Sequence, residues 1–276
     1  MYYLLQIDDT LQNSMIDLSL LDLTLAAGLI LIAIGLSHWQ GIGLTRDLVI
    51  GAARTVVQLV LVGYVLVYVF ALDRWYLVVA ALLMMLAVAA WTAGGRQDRP
   101  TRELYGIFGL AMLLGSGLTL VYVGSLVVRA DPWYDPRYLI PLFGMIIGNA
   151  MNAASLAAER LAGEMDARRA EIEAYLALGA DPARATEDAV RRATRASMIP
   201  MVNSLMVVGI VALPGMMTGQ IIAGASPLSA VRYQIVVMFM LMAAVTVTGT
   251  LVPLWYRKTF FTEAEQLKVP DTGSRP

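Results

Sequence analysis

Arg54 and Gln58 stand four residues apart inside RDLVIGAARTVVQLVLVGYVL (46–66), a stretch otherwise dominated by aliphatic side chains. That spacing places a guanidinium and an amide on one face of a helix, one turn apart. Both groups are costly at such depth in an apolar segment, and two readings stand open. Either they line a polar path or a subunit interface, or Arg54 extends its long stem back to the membrane surface. A second cluster, Asn149, Asn152 and Ser155, recurs every three residues, roughly as one stripe, with Gly144 and Gly148 in GxxxG spacing on the same segment. A third holds Asn203, Thr218 and Gln220, with Met216 and Met217 beside them. Amides and hydroxyls of this kind can carry a translocated solute or can hydrogen-bond helices together, and the residues alone allow both.

The sixteen methionines include Met145, Met151, Met201 and Met206 on these segments. Thioethers serve as adaptable packing, or as soft ligands suited to copper(I) more than to iron or aluminium. Cysteine is absent and His38 is the sole histidine, which removes thiolate sites and disulfides. Asp17, Asp22 and Glu159 stand at segment ends, and no carboxylate lies in a segment interior. The metal ligands, if any, are therefore unknown from the residues. No nucleophile–base constellation is present either, so an enzyme is not expected.

The elements that must position these groups follow from composition. Of 276 residues, 58% are hydrophobic and only 15% charged, against about 25% charged in soluble domains. The fold class expected is all-α: a polytopic membrane protein with about seven transmembrane helices. Apolar runs place the spans near 18–37, 48–71, 75–93, 104–128, 138–158, 197–222 and 233–256. ALPGMMTGQIIAG (212–224) sets Pro214 and Gly215 inside the sixth, which should kink or break there. Residues 1–17 lack the marks of a signal peptide, so the first run is expected to stay as an anchor. Residues 263–276 read as a polar tail, disordered beyond Gln266. No basic patch adjoins a soluble fold, so nucleic acid is not an expected partner.

Of twenty Lys and Arg, fifteen fall on one side of this topology, among them Arg46, Arg96, Arg99, Arg160, Arg168, Arg169, Arg184, Arg257 and Arg275. Arg74, Arg129, Arg137 and Arg232 fall on the other, with an N-terminus holding Asp8 and Asp9 and no basic residue. The positive-inside rule then sets the N-terminus outside and the C-terminus in the cytoplasm. Trp75, Tyr76, Trp91, Trp133, Trp255 and Tyr256 lie near span ends, as interfacial aromatics do.

One connection is far longer than the rest. Residues 159–196 form a cytoplasmic helical hairpin between spans 5 and 6. Leu161, Met165, Ile172 and Leu176 make an apolar stripe along its first arm, and Glu164–Arg168 and Arg169–Glu173 are opposite charges one turn apart. Gly179 suits the left-handed position that ends a helix, Asp181 caps the next and Pro182 opens it. The stripe asks for a groove, on a partner or on the membrane surface.

EAYLALGA (173–180) resembles the EAA loop of ABC-transporter permeases, with Glu173, Ala174 and Gly179 in register and Tyr175 where that motif has a second alanine. PLFGMIIGNAMNAASLAAERL (141–161) and the run around Pro214-Gly215-Met216-Met217-Thr218-Gly219-Gln220 are similar to the Fet-type permease family. Those are membrane subunits of bacterial iron-export ABC transporters, with plant relatives linked to aluminium tolerance. The resemblance implies a single permease domain over 1–276 in a bacterial cytoplasmic membrane, working as a homodimer among lipid. It also implies a separate cytoplasmic ABC ATPase that carries ATP and Mg, this chain having no cofactor of its own. The hairpin residues Glu173, Ala174, Gly179, Asp181 and Pro182 would couple to that ATPase. The chain's only lysines, Lys258 and Lys268, follow Arg257 and Leu267, so neither completes a Gly-Lys-Ser/Thr P-loop. Other cargoes (a lipid, a sugar nucleotide, a hydrophobic compound) or an ATP-independent channel or scaffold are the alternatives.

The charge asymmetry generates a direct test. Single cysteines placed as Thr10→Cys, Asp98→Cys, Asp181→Cys and Pro270→Cys in this cysteine-free chain should react with an impermeant maleimide from outside only at position 10. External labelling at 181 would reverse the topology.

Overall fold

Ser19 and Asp22 open the first described helix as a capping box: Ser19 Oγ accepts from the Asp22 N–H, and Asp22 Oδ2 accepts from the Ser19 N–H at 2.8 Å. The carboxylate expected at the outer end of span 1 is thus a helix cap. A computed structural model of the chain describes residues 19–72, 74–97 and 100–268. Asp8, Asp9, Asp17, Asp98, Arg99 and the tail beyond Lys268, with Arg275, lie outside the described residues.

The helices run α1 (Leu20–Trp39), α2 (Thr45–Leu72), α3 (Trp75–Gly95), α4 (Arg102–Val128), α5 (Pro136–Ala167), α6 (Arg169–Ala177), α7 (Pro182–Ala185), α8 (Glu187–Val207), α9 (Gly215–Ile222) and α10 (Pro227–Tyr256). Among the described residues α1 to α5 and α10 are long and apolar enough to cross a membrane. The protein is an all-α polytopic membrane protein. The sixth expected span is divided. α8 ends at Val207, and the Val211 and Ala212 N–H groups both turn back to the Val207 carbonyl. Gly209 takes φ +82°, and helix resumes only at Gly215. The break therefore begins about two turns before Pro214, because Gly209 supplies the left-handed residue that stops the helix. Among the described residues it leaves six uninterrupted spans.

The chain forms two compact units. In the first, the described residues up to Arg74 with Met216–Ala230, α2 packs against α1. In the second, Trp75–Gly215 with residues 231–268, α5 is the central helix and packs on α3, α4 and α8. Its core includes Val78, Leu104, Phe108, Met112, Ile146, Leu161 and Val252, all fully buried. α5 has 32 residues, about 48 Å at 1.5 Å per residue. The hydrocarbon core is about 30 Å thick, so one unbroken helix carries span 5 well beyond it.

Backbones approach closely where residues are small. α4 contains π-helical turns at Leu113–Gly117 and Val123–Val128, which loosen the regular carbonyl pairing. Near the first, Thr248 Oγ1 of α10 donates to the Ala111 carbonyl at 3.4 Å. A Cβ at Gly115 would overlap Thr248 Oγ1 and meet the Ala244 carbonyl at 3.0 Å; one at Gly249 would overlap Ser197 Oγ of α8. Of the GxxxG pair, Gly144 faces Met85 of α3, whereas Gly148 has open space. The two therefore do not mark one close helix crossing within this chain.

Gly115→Ala and Gly148→Ala should accordingly differ in sign. A methyl at Gly148 meets nothing and removes a glycine from a helix interior, a gain of up to about 1 kcal/mol. The methyl at Gly115 forces α4 and α10 apart, a loss of about 1–3 kcal/mol. Thermal unfolding of the detergent-purified chain measures both, and a melting point for Gly115→Ala at or above wild type would refute the close contact.

Candidate functional site

The hairpin is built as an extension of the membrane bundle. α5 carries it out to Ala167, α6 follows after Arg168, and α8 returns along α5. Leu161 is fully buried and Met165 and Ile172 are 2% exposed, all inside the protein itself. The apolar stripe is thus consumed by the chain's own packing and offers no groove-seeking face to a partner, Leu176 remaining half-buried. Charges join the arms: Arg168 Nη1 meets Asp188 Oδ2 at 3.5 Å. Glu164 pairs with Arg160 at 2.6 Å instead of the expected Arg168, which turns to Glu171 and Asp188. Glu164, nearly buried, is where Arg160 and, at 4.0 Å, Arg192 converge. The Arg169–Glu173 pair forms at 2.9 Å.

The turn has the local chemistry that its residues dictate. Gly179 adopts φ +87°; its N–H reaches the Leu176 carbonyl, and the Ala180 N–H reaches the Tyr175 carbonyl at 3.0 Å. This is a Schellman ending, which a side chain with a Cβ disfavours. Asp181 Oδ1 accepts from the Arg184 N–H at 2.6 Å, with Pro182 at the start of α7. At this tip Glu173 and Ala174 are exposed, and so are two large apolar side chains, Tyr175 at 46% and Leu178 at 86%. The apolar surface available to a partner is the tip.

Within the apolar part of α5, Asn149 and Asn152 share a cavity of about 120 Å³ with Ser197, Pro200, Met201 and Ser204 of α8. Asn149 Nδ2 donates to the Met145 carbonyl one turn back at 2.9 Å. Asn152 Oδ1 accepts from Arg96 Nη1 at 3.4 Å. Ser155 does not line this space. Each three-residue step turns a helix back by about 60°, so Ser155 rotates away, and its carbonyl accepts from the buried Gln97 side chain at 3.2 Å. Asn203 likewise lies off the face that carries Ser197, Met201 and Ser204, and is exposed. Arg54, Gln58, Met216, Met217 and Gln220 belong to the first unit, where Arg54 and Gln58 are exposed and the methionines half-buried. Pro214 and Gly215 end the second unit's run of chain. A wider cleft of about 520 Å³, lined by Gln97, Glu159, Arg160, Asp166 and Tyr256, shares Leu156 with the cavity. Among the described residues no three His, Asp or Glu side chains gather where they could hold a metal ion.

Residues 20–261 match the family described as "Uncharacterised protein family (UPF0014)". The chain belongs to this family. Within reach of it, the chain is 41% identical over 94% of its length to the whole of the UPF0014 membrane protein slr1647 of Synechocystis. It is 37% identical to the "Probable iron export permease protein FetB" of Escherichia coli, over 90% of this chain and 94% of that one. It is 36% identical to the Protein ALUMINUM SENSITIVE 3 of Arabidopsis thaliana, over 87% and 86% respectively. No solved structure matches the chain. The UPF0014 match covers α1 through Phe261, so all ten helices and the hairpin lie within it, and residues 262–268 follow it.

Arg96 and Gln97 are site residues that span counting alone assigns to a connector. Their signal is position: a long polar side chain at the last turn of an apolar helix can reach back to a neighbouring helix. The tail also departs from expectation. Leu267 pairs with Phe261 as an isolated antiparallel bridge, and the Lys268 N–H donates to the Phe260 carbonyl at 2.9 Å. A polar turn flanked by Phe260-Phe261 and Leu267 is a hairpin pattern.

The division between buried stripe and exposed tip is measurable. Ile172→Ala removes buried volume and should cost about 2–4 kcal/mol. Leu178→Ala should change stability by no more than about 0.5 kcal/mol. Equal melting points for the two variants would contradict the packing of α6.

Proposed function

We propose that this chain is the permease subunit of an ABC transporter that exports a metal ion, iron, driven by a separate ATP-binding subunit. The observation that carries the reading is the hairpin: a helical arm continuous with span 5 ends in a tip with exposed Tyr175 and Leu178. An arm anchored by its own buried stripe needs no partner for stability, so its apolar tip is free to dock. Glu173, Ala174, Gly179, Asp181 and Pro182 then shape the coupling element. The iron assignment rests on the name of the Escherichia coli relative. The inner cavity, about 120 Å³ lined by amides and hydroxyls, supports a small polar cargo. Glu159 and Asp166 in the adjoining cleft are hard oxygen donors suited to gather a cation from the cytoplasmic side. Asn149 and Asn152 are weaker donors that release it.

The working unit in this reading is a homodimer in a bacterial cytoplasmic membrane, with the N-terminus outside. Arg54 and Gln58 remain exposed on α2, a helix whose most apolar stretch has no buried residue. A guanidinium facing lipid is costly, which supports a second copy covering that face. The break between Val207 and Gly215, where Gly209 takes φ +82°, interrupts the helix beyond Ser204 of the cavity.

Reconstituted with the permease, the ATP-binding subunit should hydrolyse ATP faster with Fe(II) present than with Mg(II) alone. Leu178→Glu and Gly179→Val should insert normally and lose co-purification of the ATPase by at least ten-fold. Retention of full ATPase binding by both variants would remove the hairpin from coupling, and hydrolysis indifferent to iron but raised by another solute would replace the cargo.

A further inference from the structure

After α10 the chain could simply leave the bundle. Instead Arg257–Phe260 forms a 3-10 turn, Phe261 is 8% exposed, and residues 261–268 fold back as a small hairpin. The Thr262 N–H donates to the Gln266 carbonyl at 2.9 Å, and Glu265 takes a left-handed φ of +58° to close the turn. Arginines fasten this turn to the cytoplasmic hairpin. Arg169 Nη1 donates to the Lys268 carbonyl at 3.0 Å while its Nε holds Glu173 at 2.9 Å. Arg257 Nη1 donates to the Ala183 carbonyl at 3.5 Å. Between them lies an open recess of about 580 Å³, with Glu173, Leu176 and Asp181 on one wall and Glu265 and Leu267 on the other.

We propose that the C-terminal turn 261–268 is the second wall of the ATPase-docking surface, receiving a basic side chain of the ATP-binding subunit, and that Arg169 is the positioning residue holding that wall to the hairpin. This rests on the reading above and adds to it the partner chemistry and an element beyond the coupling helix. Glu173, Asp181 and Glu265 line the recess with three carboxylates, and Arg169 offsets only the first. Leu176 and Leu267 give it an apolar floor. An arginine or lysine matches both features, its stem on the leucines and its head among the carboxylates. Leu178, 86% exposed at the same tip, supplies the adjacent apolar contact. The same charge argues against the membrane surface as occupant, because the cytoplasmic leaflet is itself negative.

The absence of cysteine permits a footprint on the full-length chain. Ala177→Cys and Ala264→Cys, made singly beside the proposed contacts, are labelled with a bulky maleimide in the free permease, in its complex with the ATP-binding subunit, and on anionic vesicles without that subunit. The expected result is labelling slowed at least ten-fold at both positions by the subunit and at neither by vesicles. With Arg169→Gln added, position 177 should stay protected in the complex while position 264 labels at its free rate. Protection at 177 with none at 264 overturns this inference and leaves the coupling hairpin standing. Protection at neither overturns the docking reading itself. Protection at 264 by vesicles alone assigns the turn to lipid, and unchanged protection at 264 with Arg169→Gln removes Arg169 from its role.

Discussion

Ala150, Ala153, Ala154, Ala157 and Ala158 are buried along α5, and Ala189, Ala193 and Ser197 are buried on α8, which packs beside it. In a bilayer, lipid competes equally for apolar side chains, so helix pairing depends on close backbone approach and small residues. This seam satisfies that condition and continues past the membrane as Leu161 and Met165, where water restores the hydrophobic driving force of about 25 cal/mol per Å². Both sources of cohesion act on the same helix pair. The polar cavity at Asn149 and Asn152 and the hairpin base are consequently parts of one packed unit.

That continuity gives the hairpin a mechanical meaning. No flexible linker separates the cavity from the tip on the α5 side: helix runs from Pro136 to Ala167, and α6 begins at Arg169. The Arg168 junction is clamped by Glu171 and Asp188. On the proposed reading, a displacement at Leu178 passes through Ile172, buried at the base, into α5 and α8, and so hydrolysis on another chain alters the cavity.

The helical fold, the long hairpin and the Gly179-x-Asp181-Pro182 turn were legible because each rests on local rules: apolar length, backbone sterics and capping. The stripe Leu161–Met165–Ile172 was legible as a stripe but not as to what covers it. Periodicity reports which face is apolar, and says nothing of whether the covering surface belongs to the same chain. The Glu164–Arg168 pairing failed for a related reason, since Arg160, Glu171 and Asp188 offered better-placed partners. The turn at 261–268 is local, but its attachment was hidden because it runs to Arg169, 99 positions away from Lys268.

The donor set around the cavity is a statement about turnover. A cage of carboxylates would bind a hard cation tightly and, in a membrane interior, hold it against release. Here the carboxylates Glu159 and Asp166 stand in the outer cleft, and the inner cavity offers amide oxygens, hydroxyls and a methionine. Arg96, donating to Asn152, adds a fixed positive charge at the inner site. On the proposed reading, its repulsion shortens a cation's stay among these neutral donors unless the cation arrives with its own anionic ligands. Affinity would then decline from the cleft of Glu159 and Asp166 toward the cavity, so that an external energy source, not tight binding, sets the direction of flow.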